Sequence, residues 1–169
     1  DHTKLKEGMY ISRIDGDCVT YDLRTCRPNT GVIMDNSTIH TTEHMIATFI
    51  RNSDVSENII YFGPMGCRTG FYFIVWGDVE PETIKVALIN ALKKVVNSTE
   101  VPAANAIQCG NYRDLSLHGA IEYAKEVLDK YNLSVECYSV YSFIYNRPDH
   151  EAFLMKHVEL AAALGSPYF

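Results

Sequence analysis

The feature that most constrains this fold is a pair of histidines four residues apart, His40 and His44, with Glu43 beside the second. Residues 38 to 52 show apolar residues at helical spacing, namely Ile39, Ile46, Phe49 and Ile50. On a helix, side chains four residues apart lie on one face about one turn apart, so both imidazoles can bind one metal ion. Glu43 would then lie beside the ion, as a ligand or as a base. Two histidines on a solvated helix face, with Glu43 capping or pairing with a neighbour, would give the same pattern.

A catalytic metal site needs a third protein ligand and one open coordination position. Cys109 is the candidate, because it lies in a predicted loop and Gly110 after it would allow close approach of the backbone. A single cysteine is more commonly a buried structural thiol, and spacing cannot show whether the fold brings Cys109 to the histidines. A Cys-His-His set would suit zinc or ferrous iron.

Cys67 is the second notable thiol. It lies in a glycine-rich loop, Gly-Pro-Met-Gly-Cys-Arg-Thr-Gly, between two predicted strands. Exposed backbone amides and the adjacent cation of Arg68 would lower the pKa of this thiol and favour the reactive thiolate. The glycines equally fit a plain turn whose dihedral angles require them.

Strands and helices are mixed without a regular β-α-β alternation, so we predict one α+β domain over residues 1–169, an antiparallel sheet packed with helices. Strands are predicted at 9–14, 19–23, 59–62, 71–76 and 135–145, and further helices at 81–96, 116–131 and 149–164. Asn36, Ser37 or Thr38 is predicted to cap the first helix, and Asp114 or Ser116 the helix that begins at 116.

Composition excludes several classes of partner. The net charge is −6 and no Lys/Arg-rich run occurs, so nucleic acid is not an expected partner. No segment approaches the roughly 20 apolar residues of a membrane span, and no signal-peptide pattern is seen. The number of cysteines is odd, at 18, 26, 67, 109 and 137, and no C-x-x-C occurs. That pattern predicts reduced thiols and a cytoplasmic location.

Three segments together resemble the S-ribosylhomocysteine lyase family, the LuxS-type enzymes that make the precursor of autoinducer 2. They occur in the family's order and read His40-Thr-Thr-Glu-His44, Gly-Pro-Met-Gly-Cys67-Arg-Thr-Gly-Phe-Tyr and Gln-Cys109-Gly-Asn-Tyr-Arg-Asp-Leu-Ser-Leu. Two weaker segments agree, Asp1-His2 and Tyr-Asp-Leu-Arg24-Thr-Cys-Arg-Pro-Asn. The resemblance covers about residues 1–131 and leaves a divergent tail at 132–169. Within the matched part, Tyr61 and Gly63 stand where the family often carries Asp and Ser.

The resemblance implies an α+β homodimer with two sites at the subunit interface. It also implies one divalent metal per subunit, Fe²⁺ with Zn²⁺ or Co²⁺ as substitutes, bound by His40, His44 and Cys109. These assignments come from the family, residue by residue, and not from composition.

The resemblance further implies a carbon–sulfur lyase that cleaves the thioether of the small molecule S-ribosylhomocysteine to homocysteine and 4,5-dihydroxy-2,3-pentanedione. The reaction that the resemblance implies would proceed by metal-assisted carbonyl migration and β-elimination. Cys67 and Glu43 would be the acid/base pair of this reaction. Arg24 and His2 would contact the substrate, partly from the partner subunit.

Two other functions are consistent with parts of the pattern. An inverted zinc metalloprotease also uses an H-x-x-E-H helix and needs a downstream acidic ligand, for which Glu122 or Glu126 could serve. A structural or sensor site would instead have Cys67 as a fourth ligand, with no exchangeable position left for water.

Overall fold

The computed structural model describes residues 1–130, which form a four-stranded antiparallel sheet and three α-helices. The α+β class and the antiparallel sheet are therefore confirmed. The strands are β1 (Gly8–Asp15), β2 (Cys18–Arg24), β3 (Ile59–Pro64) and β4 (Gly70–Trp76), and the helices are α1 (Asn36–Ile50), α2 (Pro81–Val96) and α3 (Leu117–Lys130), with a short 3-10 turn at Ser56–Asn58. The strand predicted at 135–145 and the helix predicted at 149–164 lie outside the described residues. No helix in the described part is long and apolar enough to cross a membrane.

The strand order is β1-β2-β4-β3, and every neighbouring pair is antiparallel. β1 and β2 form a hairpin, in which Gly16 takes the left-handed φ of +58° that such a tight turn favours. The loop that carries Cys67 joins β3 to β4. Because Arg24 at the end of β2 pairs with Gly70 at the start of β4, the register places the end of β2 beside this loop.

The hydrophobic core lies between the helices and one face of the sheet. The exposure of side chains along β4 alternates accordingly. Phe71, Phe73 and Val75 are at most 1% exposed, whereas Tyr72 is 39% exposed and Trp76 is 47% exposed. Alternate residues of a strand point to opposite faces, so one face of β4 is packed and the other is open. The largest fully buried core side chains are Tyr21, Met45, Ile50, Phe71, Phe73, Val75, Ile84 and Val95. Of the predicted apolar face of α1, Ile39, Ile46 and Ile50 are buried and Phe49 is partly buried.

The N-cap of α1 differs from the prediction: it is Asp35, one residue before the three residues that were considered. Its Oδ1 accepts the Thr38 N–H at 2.9 Å and the Ser37 hydroxyl at 2.7 Å. Hydrogen bonds from Thr38 and Ser37 lower the pKa of Asp35 to about 2. The carboxylate therefore stabilises the first turn of the helix that carries both histidines.

We expect Asp35→Ala to lower the free energy of unfolding by about 1 kcal/mol, the usual cost of losing an N-cap side chain. Asp35→Asn should retain most of this free energy, because asparagine is also a good cap. The folded pKa is depressed, so the stabilisation by ionised Asp35 is present above its unfolded pKa and is lost as the pH falls through about 2. Denaturant unfolding should therefore show a smaller difference between wild type and Asp35→Ala as the pH is lowered from neutrality. A difference that grows on acidification would contradict this cap.

Candidate active site

His40, His44 and Cys109 converge at one point, although Cys109 lies 65 positions after the nearer histidine in the sequence. One ligand atom from each lies within 4.8 Å of the other two. The Cys109 Sγ is 3.5 Å from the His40 Nε2, and the two imidazole centroids are 4.8 Å apart. The fold thus brings the thiol to the histidines, which is what a metal site requires and what the spacing alone could not show.

The outer nitrogens of both imidazoles are bound to backbone carbonyls. The Nδ1 of His40 is 2.9 Å from the Asp114 carbonyl oxygen, and the Nδ1 of His44 is 3.2 Å from the Pro102 carbonyl oxygen. A carbonyl can only accept, so each Nδ1 donates its hydrogen, and in the neutral imidazole the lone pair that can bind a metal is then on Nε2. This is the arrangement by which proteins orient histidines that bind a metal. Two imidazole lone pairs and one thiol therefore form a donor set that fits a divalent transition metal.

A buried hydroxyl ties the loop that carries Cys109 to α1. Thr41 is fully buried, and its Oγ1 accepts the Ser116 N–H at 2.7 Å and donates to the Ser37 carbonyl at 2.6 Å. The Ser116 Oγ in turn accepts the Gly119 N–H at 3.0 Å, which confirms Ser116 as the cap of α3. The loop is thus fixed to α1 one residue away from His40, and this role of Thr41 was not predicted from the sequence.

Cys67 lies in a second, more exposed site at the turn before β4. Its Sγ is 3.1 Å from the Thr69 Oγ1 and 3.7 Å from the Arg24 Nη1. Partial burial by itself would raise the pKa of the Cys67 thiol, but the hydrogen bonds with Thr69 and the charge of Arg24 outweigh it, so the pKa is lowered. The predicted cation was wrong: the Arg68 Nη1 donates to the Asn36 Oδ1 at 3.3 Å, and Arg24 is the cation beside the sulfur.

Comparison with known proteins decides the family. Residues 1–137 match the family model described as S-Ribosylhomocysteinase (LuxS). The chain belongs to this family. The S-ribosylhomocysteine lyase of Clostridioides difficile strain 630 is 51% identical over 136 residues, which cover 77% of this chain and 88% of that protein. The Clostridium botulinum strain Alaska E43 enzyme of the same name is 47% identical over 137 residues, which cover 77% of this chain and 88% of that protein. The Enterococcus faecalis strain V583 enzyme is 48% identical over 118 residues, which cover 69% of this chain and 76% of that protein.

Membership in the S-ribosylhomocysteinase family indicates a metal-dependent carbon–sulfur lyase, and the His40, His44 and Cys109 group could bind its metal. A closed structural site would need Cys67 as a fourth ligand, but among residues 1–130 the group does not include Cys67. Nor does it include Glu122 or Glu126, the third ligands considered for a protease, and Glu122 instead pairs with Lys125 at 2.9 Å. The geometry therefore favours a three-ligand site over both alternatives.

Glu43, the other residue of the predicted acid/base pair, lies on α1 directly before His44 and is partly exposed. Its carboxylate is not in the group of converging ligand atoms found in the described part of the chain. Of the two roles considered from the sequence, ligand or base, this placement favours the base. Its proton-transfer role remains a prediction.

The two predicted substrate-binding residues have very different environments. Arg24 is only 2% exposed, and its guanidinium contacts Asp22, Thr69 and Cys67. His2 is exposed near the N-terminus. Within one chain Arg24 thus acts on the Cys67 site, and substrate contact by either residue remains a prediction.

Tyr61 and Gly63, where the resemblance led us to expect Asp and Ser, are coupled in space. They lie two residues apart on β3, and the ring of Tyr61 extends over Gly63. A Cβ at position 63 would overlap the Tyr61 hydroxyl, so a tyrosine in this orientation requires glycine there. Tyr61 and Gly63 therefore form one structural unit on the open face of the sheet.

Proposed function

We propose that this protein cleaves S-ribosylhomocysteine to homocysteine and 4,5-dihydroxy-2,3-pentanedione, the precursor of autoinducer 2. The observation that carries the proposal is the convergence of His40, His44 and Cys109, with both histidines oriented by backbone carbonyls, in a chain of the S-ribosylhomocysteinase family. The names of its relatives support this substrate.

We infer that the metal is Fe²⁺, with Zn²⁺ or Co²⁺ as substitutes, and that His40, His44 and Cys109 hold one ion per subunit. Two imidazoles and a thiolate suit both ferrous iron and zinc. When bound, such an ion supplies a Lewis acid that polarises the substrate carbonyl and makes neighbouring protons more acidic. The Nδ1 contacts hold the two imidazoles in position for this role.

The protein's own acid/base work would fall to Cys67 and Glu43. Moving the sugar carbonyl from C1 to C2 and then to C3 requires a proton to leave one carbon and return to the next. A thiolate at Cys67, favoured by Arg24 and Thr69, can accept and return these protons. Glu43 would serve the protons on oxygen and the later C4 proton, after which the homocysteine thiolate leaves C5.

The decisive experiment is anaerobic incubation of the Fe²⁺-loaded protein with S-ribosylhomocysteine, with a thiol-reactive dye that reports released homocysteine. We expect substrate-dependent thiol release above that of the protein alone. A parallel peptidase assay tests the protease alternative. Peptide hydrolysis without thiol release would overturn the proposed function.

We also propose a homodimer with sites at the subunit interface, as the family resemblance implies. The open face of the sheet supports it, since Tyr61, Tyr72 and Trp76 on that face are 39–47% exposed. Exposed aromatic residues grouped on one face commonly mark a protein–protein interface. A second copy of the same face would cover these side chains.

We expect Tyr72→Glu to shift the protein from dimer to monomer, because it buries a charge in the middle of this face. The molar mass in solution, measured by light scattering after size-exclusion chromatography, reports the change. Val86→Glu is the matched control, because Val86 is 46% exposed but lies on α2, away from the sheet face. Dimers that persist with Tyr72→Glu but not with Val86→Glu would exclude the sheet face as the interface.

The extent of the domain and the cellular location also remain predictions. The family match ends at residue 137, six residues beyond the end predicted from the motifs, so one catalytic domain over residues 1–169 rests on the sequence. The cytoplasmic location rests on the odd number of cysteines and the lack of a C-x-x-C.

A further inference from the structure

Thr69 is a nearly buried residue with two functional neighbours. It is 5% exposed, lies two residues after Cys67 and directly precedes β4. Its backbone carbonyl accepts the N–H groups of Thr25 and Cys26, both at 3.0 Å. These two bonds fix the backbone of Thr69 against the segment that follows Arg24.

The direction of the hydrogen bonds at the Thr69 hydroxyl follows from the donors available. The Arg24 Nη1 lies 2.7 Å from the Thr69 Oγ1, and a guanidinium can only donate. The hydroxyl oxygen therefore accepts from Arg24, and its single hydrogen remains for another acceptor. In residues 1–130 the other hydrogen-bond partner of this hydroxyl is the Cys67 Sγ at 3.1 Å, so the sulfur is the acceptor to which the hydroxyl hydrogen can be donated.

Asp22 sets the orientation of the guanidinium. Its carboxylate accepts from the Arg24 Nε at 3.1 Å and from the Arg24 Nη2, in a two-point contact. This leaves the Nη1 edge to face Thr69 at 2.7 Å and Cys67 at 3.7 Å. Asp22 and Arg24 lie two residues apart on β2 and so project from the same face. The bonds run from Asp22 through Arg24 and Thr69 to the sulfur.

We propose that Thr69 is a positioning residue for Cys67, whose sulfur accepts a hydrogen bond from the Thr69 hydroxyl. Arg24 orients this hydroxyl by donating to its oxygen, and Asp22 holds the Arg24 guanidinium in place. The inference deepens the proposed function, since it rests on Cys67 as a proton-transfer group there. Hydrogen bonds from both Thr69 and Arg24 favour the thiolate form of this sulfur, the form that can accept a proton from carbon.

The charges around Cys67 agree with this role. Partial burial opposes ionisation of Cys67, and the hydrogen bonds from Thr69 together with the positive charge of Arg24 lower its pKa in spite of it. The Asp22 carboxylate is bound to the far side of the guanidinium. Arg68 is turned towards Asn36.

The test compares Thr69→Val with Thr69→Ser by the pH dependence of Cys67 alkylation with iodoacetamide, followed on the Cys67 peptide by mass spectrometry. Valine keeps the shape of threonine and removes the hydroxyl, whereas serine keeps the hydroxyl. We expect Thr69→Val to move the alkylation profile to higher pH and to slow alkylation of Cys67 at neutral pH, because less of the sulfur is then thiolate. Thr69→Ser should keep the wild-type profile.

Two outcomes would overturn the inference: a Thr69→Val profile equal to that of wild type, or an equal shift in both variants, which would indicate packing. If Thr69→Val does not fold, Thr69→Ala provides the test, because it also removes the hydroxyl and should shift the same profile in the same direction. An unchanged profile with folded Thr69→Ala would then refute the inference. Alkylation needs no substrate, so this result is independent of whether S-ribosylhomocysteine is turned over.

Discussion

Replacing Cys67 with alanine should reduce turnover of S-ribosylhomocysteine by about 10²–10⁴-fold, the usual contribution of a general acid/base group. The fold and the metal content should not change, because the thiol is exposed and lies outside the His40, His44 and Cys109 group. Steady-state release of homocysteine by the Fe²⁺-loaded variant, together with metal analysis and circular dichroism, provides the measurement.

Cys18→Ala is the matched control for this prediction. Cys18 is a partly buried thiol that begins β2, at the opposite end of the strand from Arg24, and it pairs with Trp76. Its loss should leave turnover near that of wild type. Full turnover by Cys67→Ala would show that the exposed thiol moves no proton, and equal losses in both variants would point to a general effect of thiol removal.

The helices were largely predictable because their signals are local. α2 begins and ends where the sequence predicted, since Pro81 favours a first turn and the apolar residues keep a helical period up to Val96. The start of α1 was missed because four successive residues can cap a helix there. Only the three-dimensional geometry shows that Asp35 reaches the Thr38 N–H.

The candidate site was predictable only where its residues are close in sequence. The helical period places His40 and His44 on one face, but the approach of Cys109 depends on how the loop before α3 packs against α1. The neighbour of Cys67 was predicted wrongly, because adjacency in sequence suggested Arg68. Arg68 has a φ of +59°, and its side chain is turned towards Asn36. The sheet register instead brings Arg24, which lies 43 residues before Cys67 in the sequence, next to the sulfur.

The paired contact between Asp22 and Arg24 could have been predicted, and the role of Thr69 could not. Residues two apart in a strand share a face, so an Asp-Leu-Arg strand end indicates a carboxylate beside a guanidinium. Thr69 has no such signal, because a threonine in a glycine-rich turn is ordinary. Its contacts depend on the pairing of Arg24 with Gly70, where a Cβ on residue 70 would overlap the Leu23 carbonyl oxygen.

Replacing Cys109 with serine should lower the affinity for a divalent metal by at least about 100-fold, since loss of an outer-shell partner alone typically costs 10–100-fold. Cys109 is 7% exposed and its sulfur is one of three converging donors, and no other thiol of the described chain belongs to this group. Competition with a chelator gives the affinity. In the Co²⁺-loaded protein, the near-ultraviolet charge-transfer absorption from thiolate to cobalt reports directly on the sulfur ligand.

The same spectrum separates the two thiols when Cys67→Ala is measured beside Cys109→Ser. We expect the charge-transfer band to be lost in Cys109→Ser and retained in Cys67→Ala, because the Cys67 sulfur is engaged by Thr69 and Arg24. Removal of the metal should leave the protein folded, because the side chains of His40, His44 and Cys109 are not part of the apolar core. Unfolding on chelation would instead indicate a structural ion. Loss of the band in Cys67→Ala and its persistence in Cys109→Ser would exchange the roles of the two sulfurs and refute the site.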